Sequence, residues 1–483
     1  MYLGIDLGTS GVKTLLMDGV QNPIASASAP LEVSRPHKGW SEQNPAHWID
    51  AVTKTFDQLH KAHPKELAAV VGIGLSGQMH GATLLGKSDQ VLRPCMLWND
   101  TRSHLEASRF DNNPKFRQVS GNIVFPGFTA PKVEWVKNNE PDLFKQISKV
   151  LLPKDYLRFW LTGEFVSEMS DASGTSWLDV GARKWSDELL SICELPNSAM
   201  PDLVEGSQAS GRLRRELADR WGMKQAVVAG GAGDNAASAV AMGAVSQGAA
   251  FVSLGTSGVL FAANNSYLPY PQSAVHTFCH ALPDTWHQMG VFLSATDSLN
   301  WWASINQMDA AELTAELGDD VEPPTGLSFL PYLSGERTPH NDAAIRGAFV
   351  GLDHSHDRKA MTKAVLEGVA FALRDSLEAL ANAGTQLDRV LAVGGGTKSS
   401  YWLNVVANAL NLPLDLPQDG DFGAAFGAAR LGMMAESGAN SQDVCMPVNI
   451  EETYFPVHDH ASHYEEAYQR FRSLYPALSP LTA

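Results

Sequence analysis

The sequence predicts an α/β protein made of two related domains. The turn DLGTSGV at residues 6–12 returns as SLGTSGV at residues 253–259, after about half of the 483 residues. Strand-like and helix-like stretches also alternate along the chain, which is typical of α/β folds. A glycine-rich turn repeated at this spacing indicates one copy for each of two domains.

Each copy of the turn is expected to join two strands of a hairpin, because an apolar or alternating stretch stands on both sides of it. The small, turn-rich segment at 245–250 separates a predicted first domain, 1–246, from a second, 247–483. Gly384 is expected to end a long helix. In chain order, the patterns predict strands over 2–8 and 12–18, a helix over 44–63, a buried strand over 67–77, a strand–turn–helix unit over 226–245, a hairpin over 248–264, a helix over 357–384, a second strand–turn–helix unit over 388–411 and a helical tail over 463–475.

The composition is that of a globular protein, with 44% hydrophobic and 18% charged residues. The net charge of −17, without a basic run, argues against binding to a nucleic-acid backbone. No apolar stretch approaches the ~20 residues of a membrane span, so no membrane partner and a cytoplasmic location are expected. Four separated cysteines fit a reducing compartment. The segment HTFCH at 276–280 is expected to hold packed side chains rather than a metal.

The repeated turn has a chemical interpretation. It is not a P-loop, because it lacks the GxxxxGK[ST] pattern and leads into a strand. A glycine-rich turn can nevertheless direct backbone N–H groups at an anion. Asp6 stands just before the first turn, where a carboxylate can hold Mg²⁺ beside phosphates. A third glycine cluster, VGGGTKS at 393–399, precedes a predicted helix, whose N-terminus favours anions. Together these features predict a nucleotide phosphate site in a cleft between the two domains.

Several segments resemble the FGGY family of carbohydrate kinases. They are GIDLGTS at 4–10, GGAGDN at 230–235 and the second GTSG turn. The segments at 127–139 and 347–371 match the two family signatures, except that Ala360 stands where the family usually has a polar residue. This resemblance implies two ribonuclease-H-like, actin-like ATPase domains with the active site in the cleft between them.

Within the family, SGQMHGATLL at 76–85 and LWNDTR at 97–102 are similar to members that act on D-xylulose. The resemblance implies transfer of the γ-phosphate of ATP, with Mg²⁺, to the 5-hydroxyl of D-xylulose. It implies catalytic roles for Asp234, as the general base, and for Asp6, as the metal ligand. It implies sugar contacts by Met79, His80, Asp100, Asp234 and Asn235, and ATP contacts by Gly8, Thr9, Ser10, Lys13, Gly255, Thr256, Gly395, Gly396 and Ser400.

Simpler roles remain open for some of these residues. Asp234 is equally well placed to cap a helix. Asp100 and Arg102 could pair only with each other, and Lys13 could be an exposed strand residue. Ser400 stands near the position where some relatives carry an asparagine that contacts the base.

Two other functions compete with phosphorylation of D-xylulose. The first is phosphorylation of another pentulose or polyol, such as ribulose, glycerol or arabinitol. The second is an actin-like or chaperone-like ATPase, but the segment from 430 to 483 is too short for a chaperone's peptide-binding domain. The sequence leaves a homodimer open.

Overall fold

The computed structural model describes residues 1–418 and 423–482. In the first half of the chain, the strands are β1 Tyr2–Leu7, β2 Gly11–Met17, β3 Pro23–Pro30, β4 Glu42–Gln43, β5 Gly72–Gly77, β6 Thr83–Leu85, β7 Cys95–Met96, β8 Lys149–Leu151, β9 Val166–Glu168, β10 Leu178–Asp179, β11 Lys184–Trp185, β12 Asp202–Val204, β13 Ala209–Arg212, β14 Val227–Ala229 and β15 Ala232–Gly233. The helices there are α1 Pro45–Ala62, α2 Pro64–Ala68, α3 His104–Asp111, α4 Pro114–Ser120, α5 Thr129–Asn139, α6 Pro141–Phe144, α7 Pro153–Thr162, α8 Met169–Ala172, α9 Asp187–Ile192, α10 Arg215–Arg220 and α11 Asp234–Met242.

The second half of the chain also contains both strands and helices. Its strands are β16 Ala250–Leu254, β17 Gly258–Asn264, β18 His276–Cys279, β19 Trp286–Phe292, β20 Ser328–Leu330, β21 Ala348–Val350, β22 Val390–Val393, β23 Leu414–Pro417 and β24 Ile450–Tyr454. Its helices are α12 Thr296–Asn306, α13 Ala310–Ala315, α14 Arg358–Asn382, α15 Ser400–Leu410, α16 Ala424–Ser437, α17 Ser441–Val444 and α18 Ala461–Thr482.

The two main sheets share one strand order. In the first, β3, β2 and β1 are antiparallel neighbours, and β5 and then β14 continue the sheet parallel to β1. In the second, β19, β17 and β16 are the antiparallel neighbours, and β22 and then β23 continue parallel to β16. The prediction of two related α/β domains is therefore confirmed.

Each sheet has its own hydrophobic core under flanking helices. In the first, Trp48 and Phe56 of α1 are fully buried with the strand residues. In the second, Leu366 and Val369 of α14 and Trp402 of α15 have the same role. Helices on the faces of a sheet bury its strands on both sides, which is why the central strands β1, β5 and β16 are buried along almost their whole length.

Helix α16, late in the chain, packs on the first sheet rather than on the second. A Cβ atom at Gly4 or Gly74 would lie 1.8 Å from the carbonyl oxygen of Ala425 or Ala428, respectively. On the opposite side of α16, a Cβ atom at Gly427 would lie 1.8 Å from the Ala237 carbonyl oxygen of α11. Glycine therefore allows backbone-to-backbone packing here. The domain limits 1–246 and 247–483 stay a prediction, and α16 is a second link between the halves.

Most predicted elements lie within two residues of the observed ones. The strand predicted over 67–77 is shorter, because Pro64–Ala68 form a helix with the proline at its first position. The long helix ends at Asn382, and Gly384 has a φ of +103°, so the predicted termination is confirmed.

Residues 1–418 and 423–482 were searched for metal-ligand clusters and for membrane-spanning helices. The side chains of His276, Cys279 and His280 are buried, and no cluster of three or more metal-ligating side chains is found in this part of the chain. No helix within it combines the length and the apolar character needed to cross a bilayer.

Candidate functional site

Three parallel strands of the first sheet bring the predicted catalytic residues together. The register of β1 and β5 pairs Asp6 with Ser76, and β15 pairs Gly233 with Gly77 at the end of β5. Asp6, the turn that carries Met79 and His80, and Asp234 therefore all lie at the carboxyl edge of the sheet. This edge is where open α/β sheets bind ligands.

Asp234 begins helix α11 and is half-buried. Its Oδ1 atom accepts hydrogen bonds from the backbone N–H of Asn235, at 2.7 Å, and from the Asn235 side-chain amide, at 2.9 Å. Two causes raise the pKa of Asp234 to about 6: burial has the larger effect, and the negative charge of Asp6 has the smaller one. A carboxylate with a raised pKa is suited to accept a proton near neutral pH.

Asp6 faces the same edge beside a cation. Lys13 is its partner across the β1–β2 hairpin, so the two side chains lie on the same face. Burial raises the pKa of Asp6, and the Ser76 hydroxyl and Lys13 oppose that shift. The Oδ1 atom of Asp6 is buried and has no hydrogen-bond partner among the described residues. An unsatisfied carboxylate oxygen fits a hard cation such as Mg²⁺ or its bound water.

The first glycine turn presents backbone donors rather than its threonine side chain. The Thr9 hydroxyl donates to Gln78 Oε1 at 3.2 Å and accepts from the Trp98 indole at 2.9 Å. The Gly8 N–H is bonded within the turn to the Gly11 carbonyl at 2.9 Å. The N–H groups of Thr9 and Ser10 have no acceptor among the described residues, so they are the donors available to an anion.

Backbone N–H groups at the start of helix α12 hold the second glycine turn through hydrogen bonds. The carbonyl oxygen of Gly255 accepts from the Thr296 N–H at 2.9 Å, and that of Thr256 accepts from the Ala295 N–H at 2.8 Å. The N–H groups of Gly255 and Thr256 have no acceptor within residues 1–418 and 423–482. Both turns therefore present unpaired backbone donors, as their shared sequence predicts.

A cavity of about 320 Å³ lies beside the third glycine cluster. Gly395 and Gly396, which are predicted to contact ATP, line this cavity together with Ser399, whereas Ser400 is exposed and is not part of the lining. The reason is local: the Ser399 hydroxyl caps α15 by accepting from the Trp402 N–H at 3.2 Å, so it turns back towards the glycines. The sequence did not indicate the rest of the lining, which is Thr296, Leu299, Asn300, Ala310, Ala311, Thr314, Lys398 and Trp402.

Met79 and His80 form a wall next to Asp234. A Cβ atom at Gly233 would lie 2.9 Å from the Met79 sulfur, so this side chain packs directly against the residue before Asp234. His80 Nδ1 lies 2.8 Å from the Gly174 carbonyl oxygen. Because a carbonyl only accepts, Nδ1 carries the proton and Nε2 is left as an acceptor. Burial lowers the pKa of His80 to about 3, which keeps the ring neutral.

Asp100 has a different place from the one predicted. It is fully buried, and its two oxygens accept from the Arg102 guanidinium at 2.6 to 3.0 Å and from the Ser41 N–H at 2.7 Å. The carboxylate has no exposed surface to offer a sugar. The pairing with Arg102, which the sequence left open, is therefore the one observed.

The structure thus shows a strand edge that carries Asp6 and Asp234, two glycine turns with unpaired N–H groups, and a separate cavity beside the third glycine cluster. A model of the N-terminal domain of the FGGY family of carbohydrate kinases matches residues 1–241, and a model of the C-terminal domain matches residues 250–436. The chain belongs to the FGGY family of carbohydrate kinases. The two-domain, actin-like ATPase fold implied by the resemblance is confirmed, and sugar and ATP are the substrates that this family implies.

Individual FGGY kinases are similar to the chain over its whole length. It is 46% identical over 488 residues to the xylulose kinase of Escherichia coli (strain K12), with 100% of both chains covered. It is 35% identical over 481 residues to the xylulose kinase of Bacillus subtilis (strain 168), covering 98% of this chain and 96% of that one. The crystal structure of a xyloylose kinase from Brucella ovis has a TM-score of 0.98 at 61% identity, with 99% of each chain covered.

In this FGGY kinase, a leucine at Gly395 is expected to block the nucleotide. A Cβ atom at Gly395, which lines the cavity, would meet no atom within 4 Å, so we expect the leucine side chain to extend into the cavity without disturbing the fold. We expect Gly395→Leu to raise the KM for ATP about 10-fold or more, while the sugar KM and the melting temperature stay unchanged. Steady-state kinetics and thermal unfolding measure this. The control is Gly19→Leu, at an open position away from the cavity. An ATP KM within twofold of the wild type would contradict the assignment.

Proposed function

We propose that this FGGY kinase transfers the γ-phosphate of ATP to the 5-hydroxyl of D-xylulose, with Asp234 as the general base. The observation that carries the proposal is the position of Asp234, a half-buried carboxylate with a raised pKa beside both Asp6 and the Met79–His80 wall. D-xylulose, rather than another sugar, is supported by the full-length relatives that are named xylulose kinases.

In this proposal, one group of residues binds ATP and another binds the sugar. The backbone donors of the two glycine turns hold the phosphates, and the cavity at Gly395 and Gly396 takes the nucleoside. The sugar lies against Met79 and His80. Its hydroxyl oxygen bonds to the γ-phosphorus, its proton passes to Asp234, and the bond to the β-phosphate oxygen breaks to release ADP.

The proposal also covers the metal ion, the cellular location and the oligomeric state. Asp6 would hold Mg²⁺ through its unpartnered oxygen, and the cation supplies neutralisation of phosphate charge. Lys13, Asn235 and the turn residues keep their predicted contacts with ATP or sugar. A cytoplasmic location, where ATP and free sugar are both present, and a homodimer stay predictions.

A panel of sugars tests the proposal. The protein is assayed for ADP release with D-xylulose, D-ribulose, L-ribulose, glycerol, D-arabinitol and gluconate. We expect kcat/KM for D-xylulose to exceed that for every other substrate, and the product to be the 5-phosphate by NMR. A higher kcat/KM for glycerol or ribulose would replace the proposed substrate. ATP hydrolysis that no sugar stimulates would instead favour the actin-like or chaperone-like ATPase.

A further inference from the structure

Lys132 is a buried cation whose partners are carbonyl groups. It lies in the first turns of α5 and is fully buried. Its ammonium donates to the His80 carbonyl at 2.9 Å and to the Gly127 carbonyl at 2.6 Å. No carboxylate among the described residues forms an ion pair with it, although a buried charge normally has one, and the nearby Asp100 carboxylate is paired with Arg102. Burial accordingly lowers the pKa of Lys132 to about 7.

The carbonyl that Lys132 holds belongs to a residue in an unusual conformation. His80 has a φ of +70°, in the left-handed region that residues other than glycine seldom adopt. A second donor, the Thr129 hydroxyl, bonds the same carbonyl at 3.1 Å. Two hydrogen bonds from one helix thus hold the backbone of His80 in a conformation that costs free energy.

The second carbonyl ties the same lysine to the aromatic neighbour of His80. Gly127 directly precedes Phe128, whose ring stacks on the His80 imidazole with the ring centres 4.5 Å apart and an angle of 18°. Lys132 therefore links both stacked rings through their backbones. The opposite edge of the imidazole is bonded to Gly174, so the direction of the free Nε2 atom depends on these supports.

We propose that Lys132 is a positioning residue for the sugar, because it holds His80 and Phe128 in the orientation that points the Nε2 acceptor at a substrate hydroxyl. The proposal rests on the proposed sugar kinase activity, and it assigns Lys132 a role in sugar binding without contact with the sugar. The side-chain nitrogen of Lys132 donates to two backbone carbonyls at once, which an apolar side chain cannot do.

The test is a set of variants assayed for both substrates. Lys132→Met removes the donors but keeps a long apolar side chain. We expect the KM for D-xylulose to rise about 10-fold or more, with the KM for ATP within twofold of the wild type. Lys137→Met is the matched control, because Lys137 lies on the same helix and pairs with Glu134 and Glu194 instead of the His80 carbonyl. We expect it to leave both KM values unchanged.

A double-mutant cycle separates positioning from general destabilisation. If Lys132 acts through His80, adding Lys132→Met to His80→Ala changes the sugar KM by less than twofold. Fully additive effects, or equal rises in both KM values for Lys132→Met alone, would overturn the proposal. If Lys132→Met does not fold, Thr129→Val tests the same carbonyl, with a smaller rise in the sugar KM expected and an unchanged sugar KM counting against the proposal.

The outcome does not depend on which sugar is the substrate. If the wild type phosphorylates another member of the panel, the proposed function fails for D-xylulose. The KM comparison of the Lys132 variants, made with that sugar, still decides whether Lys132 positions His80 and Phe128.

Discussion

Asp234→Asn is expected to lower kcat by about 10²- to 10⁴-fold, because the variant loses the group that accepts the hydroxyl proton. An amide has nearly the same shape and can still accept the two hydrogen bonds from Asn235 at its oxygen. The melting temperature should therefore stay close to that of the wild type. Steady-state kinetics with a coupled ADP assay, together with thermal unfolding, measure both effects.

The pH dependence of kcat/KM is a second test of the role of Asp234. Because burial and the charge of Asp6 raise the pKa of Asp234 to about 6, the base is protonated and inactive below that pH. The wild-type kcat/KM for the sugar should rise with pH through about 6 and then level off. The control is Asp142→Asn, an exposed carboxylate paired with Lys145, which should keep this profile. A variant at position 234 that retains more than about a tenth of the wild-type turnover would remove Asp234 from the base role.

Gly74→Ala is expected to destabilise the whole protein, although it adds only one methyl group. The new Cβ atom would lie 1.8 Å from the Ala428 carbonyl oxygen, so strand β5 and helix α16 cannot keep their present distance. Overpacking usually costs about 1–3 kcal/mol and sometimes more. A clash between two backbones has no flexible side chain to relieve it, so we expect a loss of about 3 kcal/mol or more in the free energy of unfolding.

Urea unfolding of Gly74→Ala and of Gly19→Ala makes the comparison. A Cβ atom at Gly19 would meet nothing within 4 Å, so this control should unfold at the wild-type urea concentration. Gly74→Ala should unfold at a clearly lower concentration or fail to accumulate as soluble protein. Equal midpoints for the two variants would show that α16 does not pack on the first sheet at the described distance.

The predicted site residues that the structure brings together are those with a local signal in the sequence. The repeated Gly-Thr-Ser-Gly turns predicted two hairpins with free N–H groups, and both are observed. Asp6 lies near the end of β1 and Asp234 directly follows β15, and parallel pairing brings the ends of such strands to one edge. In these cases the neighbours in sequence determine the geometry.

Other residues were misplaced or missed because their contacts come from distant parts of the chain. Asp100 carries the same carboxylate as Asp234, but Arg102 and the Ser41 N–H enclose it. Asn300 and Thr314 line the cavity beside the third glycine cluster from helices that no motif connects to it. Lys132 was part of a family signature, yet only the structure shows that its two bonds hold the carbonyl groups of His80 and Gly127.

By itself, the sequence determined the fold class, the duplication, the two glycine turns with unpaired N–H groups and the pair of carboxylates, because each depends on a local pattern of glycines, strands and adjacent charges. Only the tertiary structure decided that α16 packs on the first sheet, that Asp100 is sealed by Arg102, and that His80 adopts a left-handed conformation. The physical reason is that burial, hydrogen-bond partners and close backbone packing are set by residues far apart in sequence. A local pattern can predict where a side chain stands in the chain, but not which distant groups enclose it.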